Sequence, residues 1–343
     1  MHSKKIIPLF ITFLLFALFG IYAQETAIIG FYNIENLFDT EKDTLTNDTE
    51  FLPNGSYQWT PERYYQKLQN LAYAISQIGK EQGGVVVLGV SEIENERVLN
   101  DLVAQPALQP LNYKVAHHDS PDLRGVDVAF IYQGDRFEFI SQKPHTLVVP
   151  DKPYFKTRDQ LLLVGILDNT DTLYLIVNHW PSKSGGEARS APMRMAAAKL
   201  TRSIVDSLLN INQNAKIVVM GDLNDNPTAK SITKELNAKG KINDVKQYDI
   251  FNPMWKMYRD GIGSYAYRDN WELIDQILVS YALLHSKTDG YRFVSAHVFS
   301  PNFLKTKAGS FQGYPFRTYA GGNYAGGYSD HFPVYMVLQK IKN

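Results

Sequence analysis

Nine short apolar runs constrain what this chain can become: Ala27 to Phe31, Val85 to Val90, Val126 to Tyr132, Leu161 to Leu167, Thr172 to Asn178, Lys216 to Met220, Ile274 to Ser280, Tyr291 to Val298 and Pro333 to Leu338. Each is strand-length, rich in β-branched residues and bounded by Gly, Asn, Asp or Pro, the pattern of a buried strand. Only Asp-Asn-Thr-Asp separates Leu167 from Thr172, so those two neighbours are expected to form an antiparallel hairpin. Helical spacing is rarer. Thr60-Pro61-Glu62 supplies a cap, a first-turn proline and an acid ahead of Tyr64, Leu68, Leu71, Ala72, Ile75 and Ile78. Glu187 to Leu209 reads as a second amphipathic helix and Ser231 to Ala238 as a shorter third. Many strands with few helices between them predict an α/β fold, a two-layered β-sandwich core flanked by helices. No linker, internal repeat or long low-complexity stretch divides residues 24–343, which are expected to form a single domain.

The beginning of the chain reads differently. Lys4 and Lys5 precede an apolar run from Ile6 to Gly20, and small Ala23 stands where a signal peptidase would cut. That run of 15 residues is shorter than the ~20 needed to span a bilayer. Residues 1–23 are therefore expected to be a cleaved signal peptide, with the mature chain starting near Gln24 and exported to the periplasm or beyond the cell. No stable membrane anchor is expected. The sequence contains no cysteine, which removes an acyl attachment point, a disulfide framework and thiolate chemistry together. Of 35 Lys+Arg and 35 Asp+Glu, the segment 1–23 holds two lysines and no acids, leaving 33 against 35. A mature charge near −2 lacks the basic field of a tight, non-specific nucleic-acid binder.

Chemistry gathers where the apolar runs stop. Six endings carry Asn, Asp, Glu or His: Phe31-Tyr32-Asn33-Ile34-Glu35-Asn36, Ser91-Glu92-Ile93-Glu94-Asn95, Asn178-His179-Trp180-Pro181, Gly221-Asp222-Leu223-Asn224-Asp225, Leu273-Ile274-Asp275-Gln276 and Ser329-Asp330-His331-Phe332-Pro333. Singly, each is explained by turn-making or helix-capping. Six in succession are not, because carboxylates buried beside strands cost free energy unless a cation or partner compensates them. Glu92, Asp222, Asp275 and Asp330 form an oxygen set suited to a hard cation such as Mg²⁺, and His179 and His331 could donate to phosphate oxygens.

The same segments, NIENLF, SEIEN, NHWPSKSGG, GDLND, IDQILVS and SDHFPV in that order, resemble the endonuclease/exonuclease/phosphatase superfamily from Asn33 to His331. The resemblance implies the deoxyribonuclease-like four-layer α/β sandwich and a metal-dependent phosphoesterase. Asn33 and Glu92 match the family's metal-binding pair, Glu94 being an alternative on the same side of an extended strand, and Asp330 matches a position that helps to hold the metal or its waters. His331 oriented by Asp275 resembles the family's catalytic pair; Asp222 matches the residue that orients or deprotonates the attacking water. Asn224 matches a contact to the phosphoryl oxygens, and His179 a donor to the charge that builds on phosphate. Mg²⁺ is the implied cofactor, with Mn²⁺ or Ca²⁺ as alternatives.

The substrate-facing loops are less legible. Lys183, with Ser184, Gly185 and Gly186, and Arg124 beside Gly125 offer phosphate contacts, with solvated loops as the plain alternative. The stretch from Gly309 to Tyr328 carries Phe311, Tyr314, Phe316, Arg317, Tyr319 and Tyr324. It could stack a base or a sugar, although packing onto its own domain is the preferred reading. Asp39, Glu41, Asp43 and Glu50 have calcium-loop spacing, but Thr44 stands where that loop needs Gly, so no calcium site is expected. The substrate is expected to be a phosphodiester, with a nucleic acid among the candidates and a phosphomonoester or an inositol or lipid headgroup phosphate as the runner-up. A non-catalytic binding protein is disfavoured because no acid, Asn or His of the core set is missing. The expected assembly is a monomer.

Overall fold

A computed structural model describes residues 25–149, 151–286 and 288–342. The expected signal peptide lies outside the described residues. The first half of the chain contributes β1 (Thr26–Leu37), helix α1 (Pro61–Gln77), β2 (Val85–Ile93), helix α2 (Glu96–Val103), β3 (Tyr113–His117), β4 (Asp127–Gln133), β5 (Phe137–His145), β6 (Gln160–Leu167) and β7 (Asp171–His179). Helix α3 (Glu187–Ile211), β8 (Lys216–Asp222) and the two-residue strands β9 (Ala238–Lys239) and β10 (Ile250–Phe251) come next. Helix α4 (Met254–Arg259), β11 (Tyr265–Tyr267), β12 (Asn270–Glu272), β13 (Asp275–Ser280), helix α5 (Tyr281–His285), β14 (Gly290–Val298), β15 (Tyr319–Ala320), β16 (Asn323–Tyr324) and β17 (Val334–Ile341) complete the chain.

The strands form two mixed sheets, ordered β14-β17-β1-β2-β4-β3 and β5-β6-β7-β8-β13-β10-β9. Strand alternation turns Ile29, Phe31, Val87 and Phe130 of the first sheet toward Leu163, Leu175, Val177, Met220 and Ile277 of the second, making one central core. The outer faces are covered by helices. Tyr64, Leu68, Leu71, Ala72 and Ile75 of α1 and Val98, Leu99 and Leu102 of α2 pack against Ile28, Leu88 and Ile131. On the other side Met193, Ala197, Ile204, Val205 and Leu209 of α3 pack against Ile176, Ile217, Val219 and Leu278. The architecture is the expected four-layer α/β sandwich.

Local chemistry accounts for most element ends. Thr60 Oγ1 accepts from Arg63 N–H at 3.5 Å to start α1 behind Pro61, and Asn95 Oδ1 accepts from Val98 N–H at 3.1 Å to start α2. The β6–β7 hairpin closes through Asp168 (φ 45°) and Asn169 (φ 50°), the paired left-handed residues of a type I′ turn. One expectation fails. Ser231 to Ala238 is a single π turn, Ser231–Glu235, because left-handed Asn237 (φ 58°) ends it and Ala238 leaves to pair beside Ile250. Strands β3 and β5 and helix α2 were not anticipated; β5 is an edge strand whose mostly exposed residues carry no apolar run.

Topology delivers the polar endings to one place. β1 runs parallel to β2 and β7 parallel to β8, whereas β17 is antiparallel to β1 and β13 to β8. The C-terminal ends of the first four and the N-terminal ends of β13 and β17 therefore share one end of the sandwich. Among the described residues, no helix is long and apolar enough to cross a membrane.

Candidate active site

His179 lies opposite Asp222, and Asp222 opposite Asp275, so these three side chains form a row across neighbouring strands. The row depends on Gly221. Its φ is 150°, and a Cβ there would stand 2.2 Å from the Asn178 carbonyl oxygen, so only glycine lets β7 and β8 approach just before His179 and Asp222. From the facing sheet, Asn33 pairs beside Ser91, and Glu92 follows in a left-handed conformation (φ 63°) at a break in register with β4. A non-glycine residue held there is strained backbone, of the kind that aims a side chain at a site.

The side chains converge. Asn33 Nδ2 donates to Glu92 Oε1 and to Asp222 Oδ2, both at 3.2 Å, and Asn36 N–H donates to Glu92 Oε2 at 3.1 Å. His179 Nε2 lies 3.6 Å from Asp222 Oδ2 and 3.8 Å from Glu92 Oε1. His331 Nε2 lies 4.0 Å from Asp222 Oδ2 and 3.7 Å from Asp330 Oδ1, while its Nδ1 is 2.7 Å from Asp275 Oδ2. Ser264 Oγ donates to the same Asp275 oxygen at 2.5 Å, and the Tyr265 ring lies 4.8 Å from the His331 ring. Asn224 N–H donates to Asp222 Oδ1 at 2.9 Å and its Nδ2 to the Trp180 carbonyl at 2.9 Å, leaving one amide hydrogen for a ligand.

Burial divides the two histidines. His179 is held well below the usual imidazole range by burial and then by Arg158 and Arg124. His331 is buried too, yet Asp275 foremost, with Asp330 and Asp222, holds it well above that range. Burial and then Asp275 push the Asp222 carboxyl up to about 7.

These groups suit a hard divalent cation. Glu92 and Asp330 keep partly open carboxylates, with side chains 15% and 23% exposed. The Asn33 amide oxygen accepts from Glu35 N–H at 3.0 Å and keeps a second lone pair. Ligand atoms of Asp222, Asp275 and His331 lie within 4.8 Å of one another. That tight group shares no member with Asn33, Glu92 and Asp330, and the Asn33–Asp222 hydrogen bond joins the two sets. Two buried polar atoms, His179 Nδ1 and Asp275 Oδ1, lack a hydrogen-bond partner.

Two expected substrate contacts already have acidic partners. Lys183 is ion-paired with Glu272, and Arg124 is 57% exposed, 3.5 Å from Asp122. Glu94 accepts from Asp39 N–H at 2.8 Å, and burial pushes its carboxyl up to about 8. Several contributors escaped the sequence. Buried Arg158 donates to the carbonyls of His179 (3.1 Å) and Trp180 (2.7 Å) and pairs with Asp122 at 3.1 Å. Neither Arg158 nor Ser264 sits beside a polar ending, and their partners are remote in sequence. The aromatic stretch is anchored on its own domain. Lys67 Nζ contacts Thr318 Oγ1 and the Tyr328 carbonyl, and Asn70 Nδ2 donates to the Gly326 and Gly327 carbonyls at 3.0 Å.

The family model described as Endonuclease/Exonuclease/phosphatase family matches residues 28–340. No curated protein matches. Among solved structures, a Bacteroides thetaiotaomicron endonuclease/exonuclease/phosphatase family protein is 15% identical with a TM-score of 0.52, covering 93% of this chain and 99% of its own. Bacteroides thetaiotaomicron mannosyl-6-phosphatase is 16% identical, TM-score 0.53, over 91% and 99%. D. rerio TDP2 complexed with single strand DNA product is 11% identical, TM-score 0.54, over 91% and 98%. At such identities the structural likeness speaks for the fold alone.

Proposed function

Because the chain belongs to the endonuclease/exonuclease/phosphatase family, we propose that this hydrolase of phosphate esters is an exported, metal-dependent phosphodiesterase, a nuclease, that attacks phosphorus in line with an activated water. The observation that carries the reading is the meeting of Asn33, His179 and His331 around one oxygen of Asp222, at 3.2, 3.6 and 4.0 Å. Three polar groups aimed at one buried carboxylate form a preorganised site whose task is positioning and charge neutralisation, the chief demands of phosphoryl transfer.

In this reading Asp222 orients the attacking water and takes its proton. His179 donates a hydrogen bond from Nε2 to a phosphoryl oxygen, and Asn224 donates its remaining amide hydrogen. His331, held by Asp275, presents its Nε2 N–H to the phosphate. Asn33, Glu92 and Asp330 would hold a cation, Mg²⁺ or else Mn²⁺ or Ca²⁺, whose chemistry is to draw electron density from phosphate oxygens. A diester needs room on both sides of its phosphate. That need is supported by two cavities, of about 250 and about 320 Å³, which meet at Arg317, itself 3.4 Å from Asp330.

The test is a panel of plasmid DNA, RNA, bis-p-nitrophenyl phosphate, p-nitrophenyl phosphate and sphingomyelin, assayed with Mg²⁺, Mn²⁺ or Ca²⁺ and with a chelator. Diester cleavage that the chelator stops is expected, with Asp222→Ala and His331→Ala inactive but folded by circular dichroism. Cleavage undiminished in chelator removes the metal from the reading. Activity confined to p-nitrophenyl phosphate replaces the diesterase with a monoesterase.

A further inference from the structure

The larger of the two cavities that meet at Arg317 is walled by Tyr267, Arg268, Phe311, Tyr314 and Phe316. We propose that it binds a nucleobase of the substrate, with Arg317 set between the base and the reacting phosphate. The proposal deepens the phosphoesterase reading and rests on it for the position of that phosphate.

The cavity is preformed. Tyr314 Oη donates to Asp269 Oδ1 at 2.5 Å and accepts from Asp269 N–H at 2.7 Å, clasping the loop before Phe316 to the β11–β12 turn. Thr306 N–H donates to the Tyr314 carbonyl at 2.8 Å and Phe316 N–H to the Leu304 carbonyl at 2.8 Å, closing that loop on itself. The cavity is also in register with the reacting groups. Trp271 meets Tyr314 edge-on at 5.7 Å and stacks on Phe332 at 6.0 Å, and Phe332 follows His331. Tyr265, two residues before Tyr267, lies against His331.

The walls select the occupant. Phe311 is 55% exposed and Tyr267 54%, with the Arg268 guanidinium 5.2 Å from the Tyr267 ring centre, so flat π faces and cations stand together. Such a surface favours a planar, polarisable group that carries negative charge nearby, which describes a nucleotide. A lipid chain would leave two guanidinium groups in apolar contact. A sugar would call for carboxylate or amide partners, and none lines this cavity. Arg317 holds Asp330 through one terminal nitrogen, leaving other donors of its fork for a phosphate oxygen.

Calorimetric titration of the protein with adenosine 5′-monophosphate and with ribose 5-phosphate, in chelator so that no turnover intervenes, tests the assignment. The nucleotide should bind at least about tenfold more tightly, the scale of one base–aromatic stack. Phe311→Ala, on an exposed ring, should erase that preference while leaving ribose 5-phosphate unchanged, and Arg317→Met should weaken both ligands alike. Equal affinity for the two ligands, failure of both to bind, or a preference that survives Phe311→Ala would each overturn the proposal. Because binding is read without hydrolysis, a protein that prefers the nucleotide yet cleaves nothing in the panel keeps the pocket and loses the phosphoesterase reading. One that cleaves diesters without discriminating keeps that reading and loses the pocket.

Discussion

Asp275→Asn separates charge from shape at the proposed reacting pair. Asp275 is wholly buried, and one oxygen, Oδ2, takes both the His331 contact at 2.7 Å and the Ser264 hydroxyl at 2.5 Å, while Oδ1 has no partner. An asparagine can put its oxygen where Oδ2 stands and its NH₂ where the unpaired Oδ1 stands, so both hydrogen bonds survive as neutral ones. A hydrogen bond to a charged acceptor is worth about 1.5–3 kcal/mol against about 0.5–1.5 for a neutral one. Losing roughly 1.4 kcal/mol at His331 slows turnover about tenfold. If the amide instead turns its NH₂ toward Nδ1, the imidazole takes the other tautomer, and the loss approaches the ~10⁴-fold of the same exchange in serine-protease triads. The expected fall in kcat therefore lies between those limits. Stability should fall only modestly, because relief of the opposed buried carboxylates of Asp275 and Asp222 across the β13–β8 ladder offsets the about 1–3 kcal/mol cost of a buried NH₂ where Oδ1 has no partner. Asp275→Ala should lower the thermal midpoint further, since it leaves the Ser264 and His331 donors unpaired, at about 1–3 kcal/mol each. The measurements are kcat on bis-p-nitrophenyl phosphate and the unfolding midpoint of each variant. A kcat within threefold of the parent for Asp275→Asn would refute the pairing of Asp275 with His331 as a reacting unit.

Three further outcomes follow from the packing. Gly221→Ala should cost about 1–3 kcal/mol in backbone strain plus a backbone clash at the Asn178 carbonyl, lowering both the unfolding midpoint and kcat; a variant matching the parent in both would show that β7 and β8 can part there without harm. Lys67→Met should destabilise by about 1–3 kcal/mol in urea unfolding, because the Thr318 hydroxyl and the Tyr328 carbonyl lose their donor and Glu35, 3.7 Å from Lys67 Nζ and already pushed by burial up to about 7, must take up a proton. Adding Glu35→Gln should return part of that loss, and strict additivity would count against the pairing. Asp168 governs an acid-side effect. Burial raises its carboxyl, but the Arg136 guanidinium and the Tyr291 hydroxyl outweigh burial and hold it below the usual range. The unfolded chain then binds the proton more readily, so the stability this group contributes is complete above about pH 4. It is lost as pH falls through the folded value. Asp168→Asn should flatten that acid loss and leave the slope near neutrality unchanged; an unaltered acid slope would contradict it.

The strand pattern and the polar endings were legible because they are local. A buried strand of a two-sheet core must be apolar on nearly every residue, so Val85 to Val90 or Lys216 to Met220 declares itself, and His179, Asp222, Asp275 and His331 stand out where such runs stop. The sequence likewise held the β6–β7 turn, the α1 cap and the family's motif order. Only tertiary structure decided what depends on partners far along the chain. Arg158 matters because the carbonyls of His179 and Trp180 come to it, and Ser264 because Asp275 and His331 meet beside it. The edge strand β5 stayed hidden because exposed residues need no apolar pattern, and the turn after Ser231 failed as a helix because Ala238 found a strand to join. The opposite pKa shifts of His179 and His331 were equally unreadable. Both are buried imidazoles in a polar ending, and only the placement of Arg158 and Arg124 near one and of Asp275 and Asp330 beside the other sets them apart.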